Sequence, residues 1–584
     1  MAKRWKVSAH DRELVSQICS NHNVPPIVAK VLANREITDV RQLDSFFDLR
    51  MTCLRPPEQL PGVTEAVDAI LDAVANGKRI CVYGDYDCDG MTSTAIMLKC
   101  LQQLGANTTY FVPNRIDDGY GLNCERIREL AGKGVEFLIS VDCGVASLQP
   151  AKTAKELGIP LVVTDHHLPG ETLPDVTAIV HPGLPGGDYP FSGLCGAGVA
   201  FKLAWALCKK HSGSEKLPPA QRDMLFQALS LAAIGTIADV VPLVDENRIL
   251  VHHGLKRIAE WGGLGVNFLM QHCKLAGKAE LSAEDVGFMI APRLNASGRL
   301  GQAQLGVELL VCDQASRAEQ LAAYIDNLNK SRDSLERSII REANKMLQSD
   351  FDPTMEPALV LAHPKWHPGV IGIVAGRLAE KHNRPTIVLS MDPMSQEPAT
   401  GSGRSASGLN LYEALHACRS HLKTFGGHAA AAGLKIQNES IDQFREDFCE
   451  FVRENITAEQ QTPELQIDAE VALCELTSQS VFQLESLAPF GNGNPRPVLC
   501  AHQVQVVGEP QTMGTDGRHL AVRLGQDDVQ LRAVAFGAGE WSKELMPNQC
   551  YDFAFKPVIN DFRGLNRVEL QLVDFRPAQQ TVAI

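Results

Sequence analysis

Four apolar runs of strand length recur between residues 78 and 167, and polar residues follow each of them. The runs with their polar ends read KRICVYGDYD, NTTYFVPNR, VEFLISVDCG and IPLVVTDHH. Segments of helical character separate them, reading MTSTAIMLKCLQQLG, NCERIRELAGKG and LQPAKTAKELG. Short apolar runs that alternate with helices are typical of a parallel sheet in an α/β fold. The sequence therefore predicts an α/β domain built on a parallel sheet.

A long helix is predicted over residues 316–350. No proline interrupts this segment, and its apolar residues recur at helical spacing, namely Leu321, Ile325, Leu328, Leu335, Ile339 and Met346. We expect the helix to bridge two domains. Two interpretations of its basic residues stay open, a solvated face or a wall along a groove; these residues are Lys330, Arg332, Arg337, Arg341 and Lys345.

A second α/β unit and a small barrel are predicted beyond this helix. PALVLAH and PTIVLS bracket the helix-like VIGIVAGRLAEKH, and two glycine-rich turns follow, GSGRSASG and FGGHAAAAG. Five short strands separated by glycine, proline and aspartate turns then suit a closed barrel. The predicted divisions are an N-terminal segment 1–75, a first domain 76–315, the helix 316–350, a second domain 351–460 and the barrel 465–577.

Polar residues gather at the carboxyl end of each predicted strand in the first sheet, where open parallel sheets bind their ligands. Three carboxylates stand within five positions after the first strand, and further acids and two histidines end the third and fourth; these residues are Asp85, Asp87, Asp89, Asp142, Asp165, His166 and His167. Asp239 is a further acid, set in the apolar run GTIADVV. Crowded carboxylates repel one another unless a cation neutralises them, and a buried charge needs a partner. The pattern therefore predicts a metal centre.

Carboxylates and imidazoles without cysteine suit Mg²⁺ or Mn²⁺. Five or more candidate ligands exceed what one ion with open positions needs. Two ions about 3.5–4 Å apart, sharing one carboxylate, fit the set better and stabilise both the attacking and the leaving oxygen of a phosphoryl displacement. We therefore expect a two-metal phosphoesterase.

Composition narrows the classes of protein. A formal net charge of −14 excludes a protein that coats DNA through a broad basic surface, but leaves an enzyme with one local groove. Sixteen scattered cysteines without paired CxxC motifs are interpreted as small core residues of a reducing compartment, so a cytoplasmic location is expected. Neither a signal-peptide core nor an apolar run of about 20 residues is found, so we expect no export and no membrane span.

The order of motifs DYDCDG, NRIDDGYG, VDCG, TDHH and GTIADVVPL resembles the DHH phosphoesterases. APRLNASGRL, GSGRSASGL, FGGHAAAAG and APFGNGNP resemble, more narrowly, the RecJ single-strand exonucleases of bacteria. This resemblance implies a DHH phosphoesterase domain, a long connecting helix, a DHH-associated α/β domain and a C-terminal OB-fold. It also implies 5′→3′ degradation of single-stranded DNA with Mn²⁺ or Mg²⁺, in DNA repair and recombination.

The resemblance assigns roles by position. Metal ligands are expected at Asp87, Asp89, Asp142, His166 and Asp239, with Asp142 bridging the two ions. Asp85 and His167 are expected beside them as catalytic residues, with His167 on the scissile phosphate. Many DHH relatives carry a histidine at the position of Tyr83, so the first ion is expected to rely on Asp85 or water instead.

Arginine offers a planar fork of donors to phosphate, and glycine lets backbone N–H groups approach it. In the resemblance, Arg115, Ser402 and Arg404 match a pocket for the 5′-phosphate. Other residues are candidates for DNA binding, each with a structural alternative such as core packing or a helix end: Tyr120, Arg293, Asn295, Arg299 and His428. Tyr120 is expected to stack on a base.

Aromatic and basic residues of the predicted barrel suit base stacking and backbone contact, although a small barrel also needs aromatics in its core. They are Phe536, Trp541, Phe555 and Phe562 with Arg518, Arg523, Arg532, Lys556, Arg563 and Arg567. Expected partners are single-stranded DNA and, by resemblance alone, single-strand-binding protein and a recombination helicase; a monomer is expected. The alternatives are a DHH phosphodiesterase of short oligonucleotides or cyclic dinucleotides, and a scaffold without ions, which the presence of the acids disfavours.

Overall fold

The structure is a computed structural model of the 584-residue chain. It describes residues 3–9, 11–115, 117–214, 216–278, 280–350, 356–392, 394, 397–457, 460, 462–560 and 567–578. Phe562 and Arg563 of the predicted barrel set lie outside these residues.

The helices are α1 Arg12–His22, α2 Pro26–Asn34, α3 Val40–Phe47, α4 Val63–Ala75, α5 Cys88–Gln103, α6 Cys124–Gly132, α7 Leu148–Glu156, α8 Gly196–Ser212, α9 Pro219–Ala238, α10 Asp245–Leu255, α11 Ile258–Trp261, α12 Gly263–His272, α13 Ala283–Asp285, α14 Ala291–Arg299, α15 Ala303–Val311, α16 Ala315–Asp350, α17 Ile371–His382, α18 Leu411–Ala417, α19 Ile441–Asn455 and α20 Ser478–Glu485.

The strands are β1 Arg4–Val7, β2 Arg79–Tyr83, β3 Asn107–Phe111, β4 Phe137–Val141, β5 Leu161–Thr164, β6 Ala178–Val180, β7 Leu359–His363, β8 Thr386–Ser390, β9 Ala399–Arg404, β10 Leu422–Gly427, β11 Ala431–Ile436, β12 Glu464–Ile467, β13 Ala469–Glu470, β14 Leu499–Met513, β15 His519–Gln526, β16 Val529–Ala535, β17 Cys550–Asn560 and β18 Arg567–Pro577.

The chain divides into two compact units. One comprises Met1–Leu49, Thr462–Phe490 and Asn494–Ile584, and will be called the barrel unit; the other comprises Arg50–Gln461 and Gly491–Gly493, and will be called the α/β unit. The N-terminal segment predicted as 1–75 is thus divided, because α4 belongs to the α/β unit. No helix among the described residues is long and apolar enough to cross a membrane.

The first sheet of the α/β unit has the strand order β3-β2-β4-β5-β6, and all its neighbouring strands are parallel. Every residue of β4 and β5 is buried, as expected for strands covered on both faces. Because the strands run in one direction, the residues that follow them meet at one edge of the sheet. The predicted α/β fold with a parallel sheet is confirmed.

The second sheet of the α/β unit has the order β10-β11-β9-β8-β7, with β7 and β8 parallel and the other pairs antiparallel. The glycine-rich turn predicted at GSGRSASG is wrong for residues 401–404, because these lie within β9. A Cβ at Gly401 would lie 2.5 Å from Leu389 Cδ2, and one at Gly403 would lie 2.7 Å from Ile387 Cδ1. The glycines therefore face packed side chains, while Ser402 and Arg404 share the opposite face.

FGGHAAAAG is likewise not a simple turn. Its ends lie in β10 and β11, which pair as an antiparallel hairpin with residues 428–430 between them. Helix α16 is 36 residues long and links the helical part of the α/β unit to the second sheet. The basic residues along it differ in environment, because Arg332 is buried and bound to Glu336 (2.6 Å), whereas Arg337, Arg341 and Lys345 are exposed.

The barrel unit contains a closed five-stranded barrel. Strands β14, β15, β16, β18 and β17 follow one another, and β17 pairs back with β14. The barrel core continues into apolar residues of α1, α2 and α3, which supply Ile18, Val28, Leu32 and Leu43. The predicted C-terminal barrel of five strands is confirmed.

Candidate active site

The three acids that follow β2 occupy the turn into helix α5. The Asp87 carboxylate caps this helix by accepting a hydrogen bond from Gly90 N (3.0 Å). Asp85 precedes the cap and Asp89 lies in the first turn, and both are buried. The Cys88 N–H donates to Asn295 Oδ1 (2.8 Å), so a residue of α14 fixes the turn that carries the acids.

Asp89 is held by the start of another helix. Its two carboxylate oxygens accept hydrogen bonds from the N–H groups of Gly196 (2.7 Å) and Ala197 (2.8 Å), the first residues of α8. A Cβ at Gly196 would lie 2.5 Å from Asp142 Oδ1, and one at Gly235 would lie 2.6 Å from Asp89 Oδ1. Glycine is therefore required at both positions, because helix backbone packs directly on the carboxylates.

Asp142 and Asp239 occupy backbone positions that are usually unfavourable for a carboxylate residue. Asp142 follows β4 with a φ of 60°, in the left-handed region that asparagine and aspartate tolerate better than most residues. Asp239 is the residue after helix α9, where the helix dipole presents partial negative charge. A carboxylate at that end is stabilised by a cation rather than by the helix.

The loop after Asp239 is held by a distant tripeptide. Val240 has a φ of 60°, which is a rare conformation for a β-branched residue. The Asn492 side chain donates to Val240 O (2.7 Å), and Leu243 N donates to Asn492 O (2.7 Å). A Cβ at Gly491 would lie 2.7 Å from Leu243 Cδ1, so only glycine permits this approach without a shift. The tripeptide Gly491–Gly493 therefore supports the conformation that places Asp239.

His166 reaches the carboxylates from the end of β5. Its Nε2 lies 3.2 Å from Asp142 Oδ1, 3.6 Å from Asp239 Oδ2 and 3.8 Å from Asp89 Oδ2. Burial lowers the pKa of His166, although Asp89 opposes this. A neutral imidazole directed at three carboxylate oxygens is the form that binds a metal ion.

The neighbouring His167 has the opposite protonation tendency. Burial disfavours its cation, but the hydrogen bond to Asp165 (Nδ1 to Oδ1, 2.8 Å) prevails and raises the pKa of His167 to about 9. The Asp165 carboxylate also accepts hydrogen bonds from Val145 N and His166 N. Burial opposes ionisation of Asp165, but the contacts with His167 outweigh it and lower its pKa to about 2. The pair is thus a buried anion that holds an imidazolium.

The pKa values of the acids that lack a cationic partner of this kind are shifted in the opposite direction, upward. Burial and neighbouring carboxylates raise the pKa values of Asp85, Asp87 and Asp142, and they raise the pKa of Asp239 to about 8. Asp85 Oδ1, Asp142 Oδ1 and His166 Nε2 are buried and have no hydrogen-bond partner among the described residues. Unpartnered buried acceptors are rare in proteins, and here they converge. The donor set therefore fits divalent cations.

Among the described residues of this region, three groups have possible ligand atoms within 4.8 Å of one another: Asp85, Asp87 and Asp142; Asp89, His166 and Asp239; and Asp142, His166 and His167. The structure brings together all seven residues that the sequence placed at the centre. Asp142 belongs to two groups, as a bridging carboxylate requires. Tyr83 is directed elsewhere, since its hydroxyl donates to Gly121 O (3.2 Å).

A cluster of arginines lies in the same unit. Burial and the nearby charges of Arg115, Arg332 and Arg404 lower the pKa of Arg299 to about 10. Burial and Arg115 also lower the pKa of Arg404. Half-buried arginines that repel one another favour a bound anion.

Ser402 and Arg404 meet the start of helix α17. Arg404 Nη1 donates to Ser402 Oγ (3.0 Å). A Cβ at Gly372 would lie 3.1 Å from Ser402 Oγ and 3.3 Å from Arg404 Nη2, so the first turn of α17 approaches both side chains. Helix N-termini favour anions, which matches the phosphate pocket expected from the sequence.

Comparison with known proteins identifies the family. Family models match residues 79–236 (DHH family, N-terminal domain), 356–454 (DHHA1 domain) and 467–574 (RecJ OB domain). The single-stranded-DNA-specific exonuclease RecJ of Bacillus subtilis is 38% identical over 98% of this chain and 70% of its own length. That of Escherichia coli is 35% identical over 95% of this chain and 96% of its own length. The chain belongs to the RecJ family.

Solved structures of the RecJ family have a similar fold and contain the expected divalent ions. RecJ from Thermus thermophilus in complex with Mn²⁺ has a TM-score of 0.82 and 32% identity, covering 99% of this chain and 80% of that chain. The Mg²⁺ complex of the same protein has a TM-score of 0.77 and 31% identity, covering 99% and 79%. The expectation of Mn²⁺ or Mg²⁺ as cofactor is therefore confirmed within the family.

Other predicted DNA-binding residues lie in varied environments. Tyr120 is 52% exposed, and its hydroxyl contacts His167 Nδ1 (3.0 Å) and donates to Asp142 O (3.3 Å). Arg293 is bound to Asp326 (2.8 Å), so its charge is already compensated. Asn295 Oδ1 accepts a hydrogen bond from Cys88 N in the turn that carries the acids. His428 is exposed in the hairpin loop between β10 and β11.

The predicted aromatics of the RecJ-family barrel divide between core and surface. Phe555 is fully buried in the barrel core, and Trp541 packs edge-on against Phe575. Phe536 is 65% exposed. Arg523 and Arg532 are register partners on neighbouring strands, and the Arg532 guanidinium is paired with Glu569 of β18, so its charge is already compensated.

Sequence reasoning left three supporting residues without a role. Asp165 orients His167 through the hydrogen bond between their side chains. His181 is buried after β6, and its Nε2 donates to His167 O (2.7 Å). Tyr86 lies under Arg115, with the guanidinium 5.1 Å from the ring centroid. The position of His181 at a strand end of the first sheet was a signal that could have revealed it.

Proposed function

We propose that this protein is a metal-dependent exonuclease that degrades single-stranded DNA from its 5′ end. The observation that carries the proposal is the convergence of the unpartnered atoms of Asp85, Asp142 and His166 beside a separate group of mutually repelling arginines. The similar RecJ proteins of B. subtilis and E. coli are named single-stranded-DNA-specific exonucleases, which supports the same substrate here.

Two Mn²⁺ or Mg²⁺ ions fit the seven-residue centre. We assign Asp85 and Asp87 to the first ion, Asp89, His166 and Asp239 to the second, and Asp142 to both. Asp85 thereby becomes a ligand, which compensates for Tyr83 at the position where many relatives have histidine. When bound, such an ion pair supplies a hydroxide nucleophile and neutralises charge on the transferring phosphoryl group.

His167 and Tyr120 orient the scissile phosphate in this proposal. Asp165 keeps His167 protonated at neutral pH, because the pKa of His167 is raised to about 9. An imidazolium next to the carboxylates attracts a non-bridging phosphate oxygen that they would repel. The Tyr120 ring lies edge-on to His167, 5.4 Å between centroids, and its exposed face is available to a terminal base.

End selection is assigned to the arginine cluster. Arg115, Arg404 and Ser402, with the N-terminus of α17, provide a site for one terminal phosphate. Arg299 adds positive charge within the same cluster. A chain end with a 5′-phosphate would then place its first phosphodiester at the carboxylate centre, which gives 5′→3′ polarity.

The barrel is assigned to holding the strand. Exposed Phe536 and exposed Arg523 offer a base-stacking surface and a contact to the DNA backbone. We further propose a monomer that acts in the cytoplasm in DNA repair and recombination, alongside single-strand-binding protein and a recombination helicase. Sixteen free cysteines suit a reducing compartment.

Digestion of single strands labelled at either end tests the proposal. With Mn²⁺, a 5′-labelled strand should release mononucleotide label at once, whereas a 3′-labelled strand should shorten progressively; chelator should stop both. Early release of the 3′ label would overturn the polarity. A series of lengths separates this activity from the alternative, because a preference for dinucleotides or cyclic dinucleotides over long strands would contradict a strand-degrading enzyme.

A further inference from the structure

Three side chains of the barrel unit lie together in a manner typical of a metal site. Glu470 of β13 and Cys500 of β14 are register partners in a parallel pair, so their side chains lie next to each other. His502 follows Cys500 by two residues and emerges on the same face. Possible ligand atoms of the three residues lie within 4.8 Å of one another. This cluster is built from sequence positions that carry no CxxC signal.

A β-bulge orients His502. The register of β14 with β17 shifts between Ala501 and Val504, and Gln503 within it has a φ of 55°. The Gln503 N–H donates to Asp552 Oδ1 (3.2 Å), and Asp552 Oδ2 lies 3.0 Å from His502 Nδ1. Bulges redirect side chains, and this one turns His502 Nε2 toward Cys500.

Asp552 is fixed in place as a supporting carboxylate. Its side chain is 4% exposed and lies 3.2 Å from Arg576 Nε, whose guanidinium covers the Trp5 ring at 4.5 Å. In protein metal sites, a carboxylate bound to one ring nitrogen of a histidine sets the tautomer and leaves the other nitrogen for the ion. His502 has this arrangement.

The separations agree with tetrahedral zinc coordination. Cys500 Sγ lies 3.8 Å from His502 Nε2, and that nitrogen lies 3.3 Å from Glu470 Oε1. Zinc bonds of about 2.3 Å to sulfur and about 2.0–2.1 Å to nitrogen and oxygen put the corresponding pairs about 3.6 and 3.4 Å apart. We propose that Glu470, Cys500 and His502 bind one Zn²⁺ ion, with water as the fourth ligand.

Ligand chemistry distinguishes this site from the carboxylate centre of the α/β unit. A thiolate favours Zn²⁺ over Mg²⁺ and Mn²⁺. Ion binding by Cys500 displaces the proton of its thiol. The ion joins the two-residue strand β13 to the barrel.

Cobalt titration of the full-length, metal-stripped protein tests the site. Co²⁺ bound to a thiolate gives a sulfur-to-metal charge-transfer band, which ligands from Asp and His do not give. We expect this band to saturate with added Co²⁺ and to vanish on addition of Zn²⁺. Cys500→Ser should abolish it, whereas Cys474→Ser, which changes an exposed cysteine of the same unit, should leave it intact. Asp552→Asn should weaken Zn²⁺ binding by about 10-fold or more.

Absence of the band from the unmodified protein overturns the proposal, as does an unchanged band in Cys500→Ser. Glu470→Gln is a second test, needed because Cys500→Ser changes a buried residue and could disturb folding. Glu470 is exposed, so its substitution should leave the fold unchanged. This variant should melt like the parent without metal and bind Co²⁺ about 10-fold more weakly or worse. Equal Co²⁺ affinity would show only a thiol–imidazole contact and would overturn the three-ligand site.

Discussion

The acid cluster and the arginine cluster of the α/β unit are both groups of like charge that are partly or fully shielded from solvent, and they need ligands of opposite sign. The acids resist losing their protons, as Asp239 shows with a pKa raised to about 8. The arginines resist keeping theirs, as Arg299 shows with a pKa lowered to about 10. We propose that cations complete the first cluster and that a phosphate completes the second.

The largest effect is expected from Asp142→Asn, which breaks the acid cluster. Asparagine tolerates the φ of 60° at this position, so the backbone should remain unchanged. Loss of the shared ligand should lower the rate of hydrolysis by at least about 10³-fold, equivalent to several kcal/mol of transition-state stabilisation. Hydrolysis of labelled single strands in Mn²⁺ measures this.

Asp68→Asn is the matched control, because Asp68 is a surface acid of the same unit that pairs with Lys210. It should retain the parent rate. A near-normal rate in Asp142→Asn would contradict the role of Asp142 as a bridging ligand.

A smaller effect is expected from Arg404→Gln, which breaks the arginine cluster. The variant should lose about 10-fold or more of the preference for 5′-phosphorylated over 5′-hydroxyl strands, because a charge-assisted contact to phosphate is removed. The kcat/KM for each substrate measures this preference. Arg419→Gln changes an exposed arginine of the same domain and should retain it; an unchanged preference in Arg404→Gln would refute the pocket.

The smallest expected effect is a pH dependence of protein stability in the absence of metal, which tests the shifted pKa values of the acid cluster. In chelator, the native protein should hold more protons than the unfolded chain between about pH 4, where a free aspartate ionises, and about pH 8. The free energy of unfolding should therefore fall as pH rises through this window, lowering the apparent Tm by a few degrees. Mn²⁺ should oppose the fall, and Asp239→Asn should make it shallower. A Tm that rises with pH in chelator would contradict the assigned shifts.

The sequence predicted those features that depend on local order along the chain. Parallel strands recur as buried apolar runs, and topology brings their ends together, so Asp142 and His166 could be placed before any contact was known. GSGR was misassigned because glycine ordinarily indicates a turn, whereas here Gly401 and Gly403 lie in a strand whose packed face leaves no room for Cβ atoms.

Contacts between distant residues could not be predicted. Asn295 bonds to Cys88 across 207 residues, and Arg293 pairs with Asp326 on another helix. A single sequence gives no measure of which polar residues meet after folding. The sequence therefore offers Asn295 and Arg293 as candidate DNA contacts or helix-end residues, and the structure shows that both side chains are bonded within the protein.

The position of Asn492 complicates dissection of this protein by truncation. A chain shortened before residue 491 would lose more than its barrel, because the hydrogen bonds to Val240 and Leu243 would go with it. Reduced nuclease activity of such a fragment would then have two causes, displacement of Asp239 and weaker binding of the DNA strand. Adding the missing barrel as a separate protein would not restore the loop after Asp239. A fragment that retains Gly491–Gly493 would separate the two causes.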